Sequence, residues 1–184
     1  MQFVEQPYRH YLKENFFSIE QFQMLCEFAA KSEWSFFEDE SFPQYIIQRN
    51  VIEDFFLKNE NSKESFSYLF SAEFISSLEI LFQQSLEKCV AISFHKLTKT
   101  NFNIVHNDFN SNGEKLRIVC YLSTPESYEG GELNLYLMEK LDSPFSSYKL
   151  KTNTAFVFEM TQQSFHSVSE VKFGDRICLV ITYQ

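Results

Sequence analysis

The chain is expected to fold as an α+β protein that is mainly β, with helices in its N-terminal half buttressing a sandwich or barrel built by its C-terminal half. Three observations carry that expectation. Before about Val90 apolar residues recur at helical spacing, after it they fall into short β-rich runs, and turn-forming residues separate those runs. At 184 residues, 44% hydrophobic, with 22 phenylalanines, the chain is long enough for one sizeable core and short for two, so we read it as a single domain.

The first element is a helix. In "FSIEQFQMLCEFAAKS", Ser18 and Gln21 have capping-box spacing, and Ile19, Phe22, Leu25, Cys26 and Ala29 share a face. A second helix follows from Ser71, with Phe74, Ile75, Leu78, Leu81, Phe82 and Leu86 aligned. Between them "QYIIQRNV" reads as a strand and the polar "KNENSKES" (58–65) as an exposed loop. The strands then come in order: "VAISFHKL", "FNIVHNDF", "KLRIVCYLS", "GELNLYLM", "NTAFVFEM" and "DRICLVITYQ". The turns between them are "NSNGEK", "EGGE", "LDSPFSS" and "KFGD".

Charge and cysteine content exclude several classes. A formal net charge of −9 repels a phosphate backbone, and Arg9, Arg49, Arg117 and Arg176 form no basic patch, so a nucleic-acid partner is not expected. No basic segment precedes an apolar run at the start and no run of eighteen apolar residues occurs, which argues against a secretory signal and a membrane span. Cys26, Cys89, Cys120 and Cys178 are widely spaced in apolar segments without a C-x-x-C. That suits buried thiols in a reducing cytoplasm, with neither disulfides nor a cysteine-zinc site.

One run carries charge where core is expected. In "FNIVHNDFN", Phe102, Ile104, Val105 and Phe109 look like core, yet His106 and Asp108 stand two positions apart, on one face of a strand. A neutral nitrogen and a carboxylate facing an interior need a partner. Among the other histidines, only His166, in "QQSFHSVSEV", lies near a later strand. Two histidines and a carboxylate occupy one face of an octahedral ion and leave positions open, the non-haem Fe(II) arrangement. Arg176, ten residues past His166, opens an apolar strand and needs an anion. Its planar fork suits a carboxylate, so a dicarboxylate chelating the metal at one end could be gripped there at the other.

These residues resemble the Fe(II)- and 2-oxoglutarate-dependent dioxygenases, most closely the prolyl-hydroxylase branch, over roughly 101–184. "HND" is similar to the family's H-x-D, "RIVCYLS" to the strand after it, and "YEGGELNLY" to its G-G-x-L turn and strand. "FHSVSEV" with "GDRICLVI" is similar to the distal histidine and its later basic residue. The resemblance implies a double-stranded β-helix (a cupin-like jelly roll) over 90–184, with 1–89 as helical support and substrate-side region. It also implies His106, Asp108 and His166 as catalytic iron ligands and Arg176 as the clamp on the far carboxylate of 2-oxoglutarate. Tyr121 would share that clamp, and Val119 and Val168 would line the cosubstrate pocket. The implied cofactors are Fe(II), 2-oxoglutarate and O2, with ascorbate stimulating. The implied reaction is decarboxylation to succinate and CO2 coupled to hydroxylation of an aliphatic C–H bond.

The segment before H-x-D, "FHKLTKTNFNIV", lacks the tyrosine and glycine that many relatives carry, so the prime substrate does not transfer with the motif. A prolyl residue of a peptide or protein is the first expectation. A free amino acid or other small metabolite is the alternative, and a non-catalytic metal-binding sensor or scaffold is a reading of another class; nothing in the sequence fixes an oligomeric state. More simply, Tyr121 is a core tyrosine, Arg117 a solvated or paired surface residue, His10 and His95 satisfied polar residues, and Gly130-Gly131 a turn.

Overall fold

A computed structural model describes residues 2–58, 63, 66–139 and 142–184. In chain order the elements are β1 (Gln2–Val4), β2 (His10–Glu14), α1 (Ile19–Lys31), β3 (Ser35–Phe37), β4 (Gln44–Ile47), α2 (Arg49–Lys58), α3 (Ala72–Phe82), β5 (Cys89–Leu97), β6 (Asn103–His106) and β7 (Leu116–Tyr121). A 3-10 turn at Pro125–Ser127 precedes β8 (Tyr128–Gly130), β9 (Leu133–Leu135), β10 (Ser146–Tyr148), β11 (Thr154–Glu159), β12 (His166–Val168), β13 (Val171–Gly174) and β14 (Arg176–Tyr183). The polar run 58–65 lies outside the described residues apart from Lys58 and Lys63.

The helices start where the sequence places their caps. Ser18 accepts from the backbone N–H of Gln21 while the Gln21 side chain accepts from that of Ser18, a complete capping box. Leu25, Phe28 and Ala29 are the buried face of α1, whereas Ile19, counted on that face, is 71% exposed in the first turn. Ser71 caps α3, and Gln83 ends it in the left-handed region. Leu86 lies beyond that end but is still buried. The helix α2 follows β4 after a single residue. Reading 44–51 as one strand missed it, because "RNVIEDFF" buries only Ile52 and Phe56 and leaves Val51 and Phe55 exposed.

The strands form an eight-stranded sheet in the order β1-β2-β11-β7-β14-β5-β4-β3, a four-stranded sheet β10-β9-β12-β6, and the ribbon β13-β8, a double-stranded β-helix. Half of the large sheet, β1 to β4, comes from the N-terminal region. Alternation gives its central strands two jobs. Leu116, Ile118 and Cys120 of β7, Leu179 and Ile181 of β14 and Ala155 and Val157 of β11 join the helices in one core. Their neighbours Val119, Tyr121, Cys178, Phe156 and Phe158 point the other way, toward Leu133 and Leu135 of the small sheet. The space between the sheets is where the polar residues of interest gather. All four cysteines are free, and Cys89, Cys120 and Cys178 are buried. Among the described residues no helix is long and apolar enough to cross a membrane.

The "EGGE" turn ties the ribbon to the sheets. Gly130 has φ +77°, and a Cβ there would come within 2.0 Å of the Glu170 carbonyl oxygen, so neither conformation nor space admits a side chain. Gly130→Ala should lower the stability to urea unfolding by about 2 kcal/mol or more, since the left-handed backbone alone costs that order. An unchanged midpoint would contradict this close packing.

Candidate active site

The strands β6 and β12 are hydrogen-bonded neighbours whose register sets His106 directly opposite His166, with ring centroids 4.2 Å apart. Each ring is fixed in the same way. The Nδ1 of His106 lies 2.8 Å from the Ile104 carbonyl and that of His166 lies 2.8 Å from the Ser164 carbonyl. A carbonyl only accepts, so both Nδ1 atoms carry a proton, and Nε2 is the nitrogen of each ring that can offer a lone pair to a metal. Those lone pairs face Asp108, at 3.5 Å from His106 to Oδ1 and 3.2 Å from His166 to Oδ2. Phe42 packs edge-on against His106 and Phe158 against His166.

Asp108 reaches this position by a route that strict alternation does not describe. The strand β6 ends at His106, and Asp108 sits beyond it with φ +58°, in the left-handed region that aspartate tolerates better than most residues. Ile104 and Phe109, expected in the core, are 45% and 46% exposed, because the run leaves the sheet at the mouth of the site. Burial works to raise the Asp108 carboxyl, but the Arg117 guanidinium paired with its Oδ2 outweighs it and holds the group well below the ordinary carboxylate range. Burial lowers His166 despite Asp108. Two imidazole Nε2 atoms and an ionised carboxylate, with ligand atoms all within 4.8 Å of one another, are the donor set of an N,N,O metal centre.

The cavity holding this triad runs between the sheets to Arg176 and measures about 190 Å3. Arg176 is 4% exposed, has no carboxylate partner among the described residues, and leaves its Nε without any hydrogen bond. Its Nη2 donates to the Tyr121 hydroxyl at 2.7 Å. Burial pushes the Tyr121 pKa up against the pull of Arg176, so the hydroxyl keeps its proton and can donate it to a ligand. Gly131 makes room for the arginine, since a Cβ there would lie 3.0 Å from the Arg176 Cδ and 3.2 Å from the Tyr128 ring. The Tyr128 hydroxyl is also buried without a partner. A buried guanidinium beside spare donors calls for an anion with at least two acceptor atoms. Val119 and Val168 line the same cavity, with Phe156, Phe158 and Leu133.

Four polar lining residues, Arg117, His95, Gln44 and Asn103, were not singled out as such by sequence. Arg117, read as a surface residue, has a side chain only 21% exposed and meets Asp108 Oδ2 at 2.5 Å. Alternation held the signal: Arg117, Val119 and Tyr121 are two apart on one strand and share a face. His10 is a satisfied core histidine, bonded to the Tyr8 carbonyl and the Tyr148 hydroxyl. His95 is satisfied too, by Ser93 at 2.7 Å and Gln44 at 3.0 Å, yet it lines the cavity. Only the pairing of His95 with Cys178 across β5 and β14 places it there, and that register was not readable from the sequence. Gln44 was placed on a strand but not in a site.

Burial, reinforced by Arg117 and opposed by Asp108, takes His95 down to about 4. The unfolded chain therefore binds this proton first as pH falls, so the stability contributed by His95 is complete above pH 6.5 and declines between about 6.5 and 4. Ring NMR of His95 should show a midpoint near 4, and His95→Gln should flatten the pH dependence of stability in that window. A midpoint near 6.5 would contradict the neutral, buried ring.

Comparison with known proteins adds a family to this geometry. Residues 92–184 match the sequence model of the 2OG-Fe(II) oxygenase superfamily. No curated protein sequence matches the chain. Similar solved structures include a 2OG-Fe(II) oxygenase family oxidoreductase from Burkholderia pseudomallei, 16% identical, with a TM-score of 0.70 over 95% of this chain and 84% of the other. A Pseudomonas putida prolyl-4-hydroxylase is 15% identical, with a TM-score of 0.63 over 95% and 91%. A Trichoplax adhaerens prolyl hydroxylase, in complex with a hypoxia inducible factor oxygen degradation domain peptide fragment, is 14% identical with a TM-score of 0.67 over 95% and 82%. The chain belongs to the 2OG-Fe(II) oxygenase superfamily and is a dioxygenase of the kind that uses Fe(II), 2-oxoglutarate and O2.

Proposed function

We propose that this dioxygenase hydroxylates an aliphatic C–H bond of a residue within a peptide or protein, peptidyl proline being the first candidate. In this reading His106, Asp108 and His166 hold the iron, and Arg176 with Tyr121 grips the distal carboxylate of 2-oxoglutarate. The carrying observation is the pairing, in one cavity, of an N,N,O donor set with a buried guanidinium whose Nε is unpartnered. A metal-binding scaffold has use for the first but not the second.

Bound there, the ferrous ion and 2-oxoglutarate supply O2 activation with release of succinate and CO2. The chain supplies binding and orientation. The Ile104 and Ser164 carbonyls fix both rings so that each Nε2 is a lone-pair donor. Arg176 and the protonated Tyr121 hydroxyl offer donors to one carboxylate, and Phe156, Phe158, Leu133, Val119 and Val168 keep water from the cosubstrate.

Two features favour a peptide over a free amino acid. The charged side chains lining the cavity are Asp108 and Arg117, which pair with each other, and Arg176, so no spare charge awaits a zwitterion. Instead the wall carries carboxamides with unused capacity. Asn103 Oδ1 is buried without a partner, and the Gln44 amide, held through its oxygen by His95, donates to nothing among the described residues. Such groups suit the C=O and N–H of a peptide unit. The prolyl hydroxylases among the similar structures, one holding a peptide, support the same choice.

Succinate formation at equal iron and 2-oxoglutarate should be stimulated by proline-containing peptides and not by free amino acids. Stimulation by a small metabolite or single-stranded nucleic acid alone would overturn the substrate reading. His166→Ala should lose most Fe(II) affinity and remain folded, whereas undiminished affinity would remove the ligand assignment. Arg176→Ala should cost 2-oxoglutarate binding about 2–5 kcal/mol, raising the half-saturating concentration by orders of magnitude, with a smaller rise for Tyr121→Phe. Saturation of Arg176→Ala at the wild-type concentration would exclude the clamp.

A further inference from the structure

Asp108 has little of its own to aim it. It lies past the end of β6 in a left-handed turn, so its carboxylate is not fixed by the ladder that fixes the two histidines. What holds it is Arg117, from the middle of the large sheet, where β7 is paired on one side with β11 and on the other with β14. The guanidinium is itself anchored on several sides. Its Nη1 meets Asp108 Oδ2 at 2.5 Å, its Nε donates to Thr182 Oγ1 at 3.2 Å, and its Nη2 lies 3.7 Å from Glu114 Oε2. Glu114 is in turn held by the Asn110 side chain at 2.8 Å.

We propose that Arg117 is a positioning residue for the metal centre: by occupying one oxygen of Asp108 from a rigid strand, it presents the carboxylate to the ion as a single-oxygen ligand in fixed orientation. The inference rests on the reading of His106, Asp108 and His166 as metal ligands. It has a consequence that simple electrostatics contradicts. A fixed positive charge beside the centre repels a divalent cation, so Coulomb's law alone predicts that removing Arg117 tightens metal binding. Positioning predicts the reverse, because a carboxylate released from its anchor must be ordered at the expense of binding. Lysine keeps the charge and can still reach one oxygen, but lacks the fork that bridges Asp108, Thr182 and Glu114.

The test is the dissociation constant of Mn(II) alone, measured by the electron paramagnetic resonance signal of the free ion, with thermal melting to establish folding. Arg117→Met should bind Mn(II) at least tenfold more weakly, and Arg117→Lys should recover part of the loss. Thr182→Val, which loosens the guanidinium without removing charge, should weaken binding several-fold and covers the case in which Arg117→Met fails to fold. The Co(II) absorption spectrum should change in Arg117→Met and return toward wild type in Arg117→Lys, which a merely structural arginine would not produce. Equal or tighter Mn(II) binding by Arg117→Met, or by Thr182→Val where only that variant folds, overturns the proposal. His166→Ala, run alongside, separates the two failures. Weakened binding there with unweakened Arg117→Met condemns the role of Arg117, whereas unweakened binding in both condemns the ligand set itself.

Discussion

The central strands of the large sheet have to serve two interiors at once, and everything else in the molecule is arranged around that constraint. Because side chains alternate, β7, β11 and β14 present one row to the helices and the other to the cavity between the sheets. The first row is largely apolar, and its burial supplies the main stabilisation of the sheet. The second row is free to carry chemistry: Arg117 and Val119 of β7 and Arg176, Cys178 and Val180 of β14 line the cavity, and Tyr121 of β7 bonds Arg176. A one-residue slip of either strand would exchange the rows and bury an arginine among the phenylalanines of the helical core.

Electrostatic balance follows from that placement. On the proposed assignment the protein contributes one carboxylate and two guanidiniums, and the histidines enter as neutral ligands because a metal takes the imidazole lone pair. Asp108 and Arg117 cancel, which leaves Arg176 as the charge in search of a partner. A divalent cation and a dianion entering together leave the sum unchanged, while either alone moves it by two charges. On that assignment the site suits joint occupancy, with the unpartnered Arg176 Nε offered to the anion and the Nε2 atoms of His106 and His166 to the cation.

Much of this was legible in the sequence, for identifiable reasons. The capping box at Ser18 and the periodicity after Ser71 are local signals, and both helices begin where they say. His106, Asp108, His166, Arg176 and Tyr121 were visible because short motifs in order hold them; the fold brings the first four to one cavity and hydrogen-bonds Tyr121 to Arg176. What was illegible depends on register or on departure from a regular strand. Asp108 leaves β6 before it turns inward, so a same-face pairing gave the correct neighbours by an incorrect path. His95 faces the cavity only because β5 pairs with β14 in one register, and Gln44 only because β4 then pairs with β5. The helix α2 was lost because its apolar face is too narrow to stand out beside the strand before it. Arg117 was the avoidable miss, since its spacing from Tyr121 on the same strand already fixed its direction.

The most direct test of the account is a crystal structure of the protein with Mn(II) and 2-oxoglutarate added without oxygen. Anomalous scattering should place one manganese within bonding distance of His106 Nε2, His166 Nε2 and one oxygen of Asp108. The distal carboxylate of 2-oxoglutarate should lie on Arg176 and Tyr121. Manganese bound elsewhere, or a carboxylate that leaves the Arg176 guanidinium unpartnered, would contradict it.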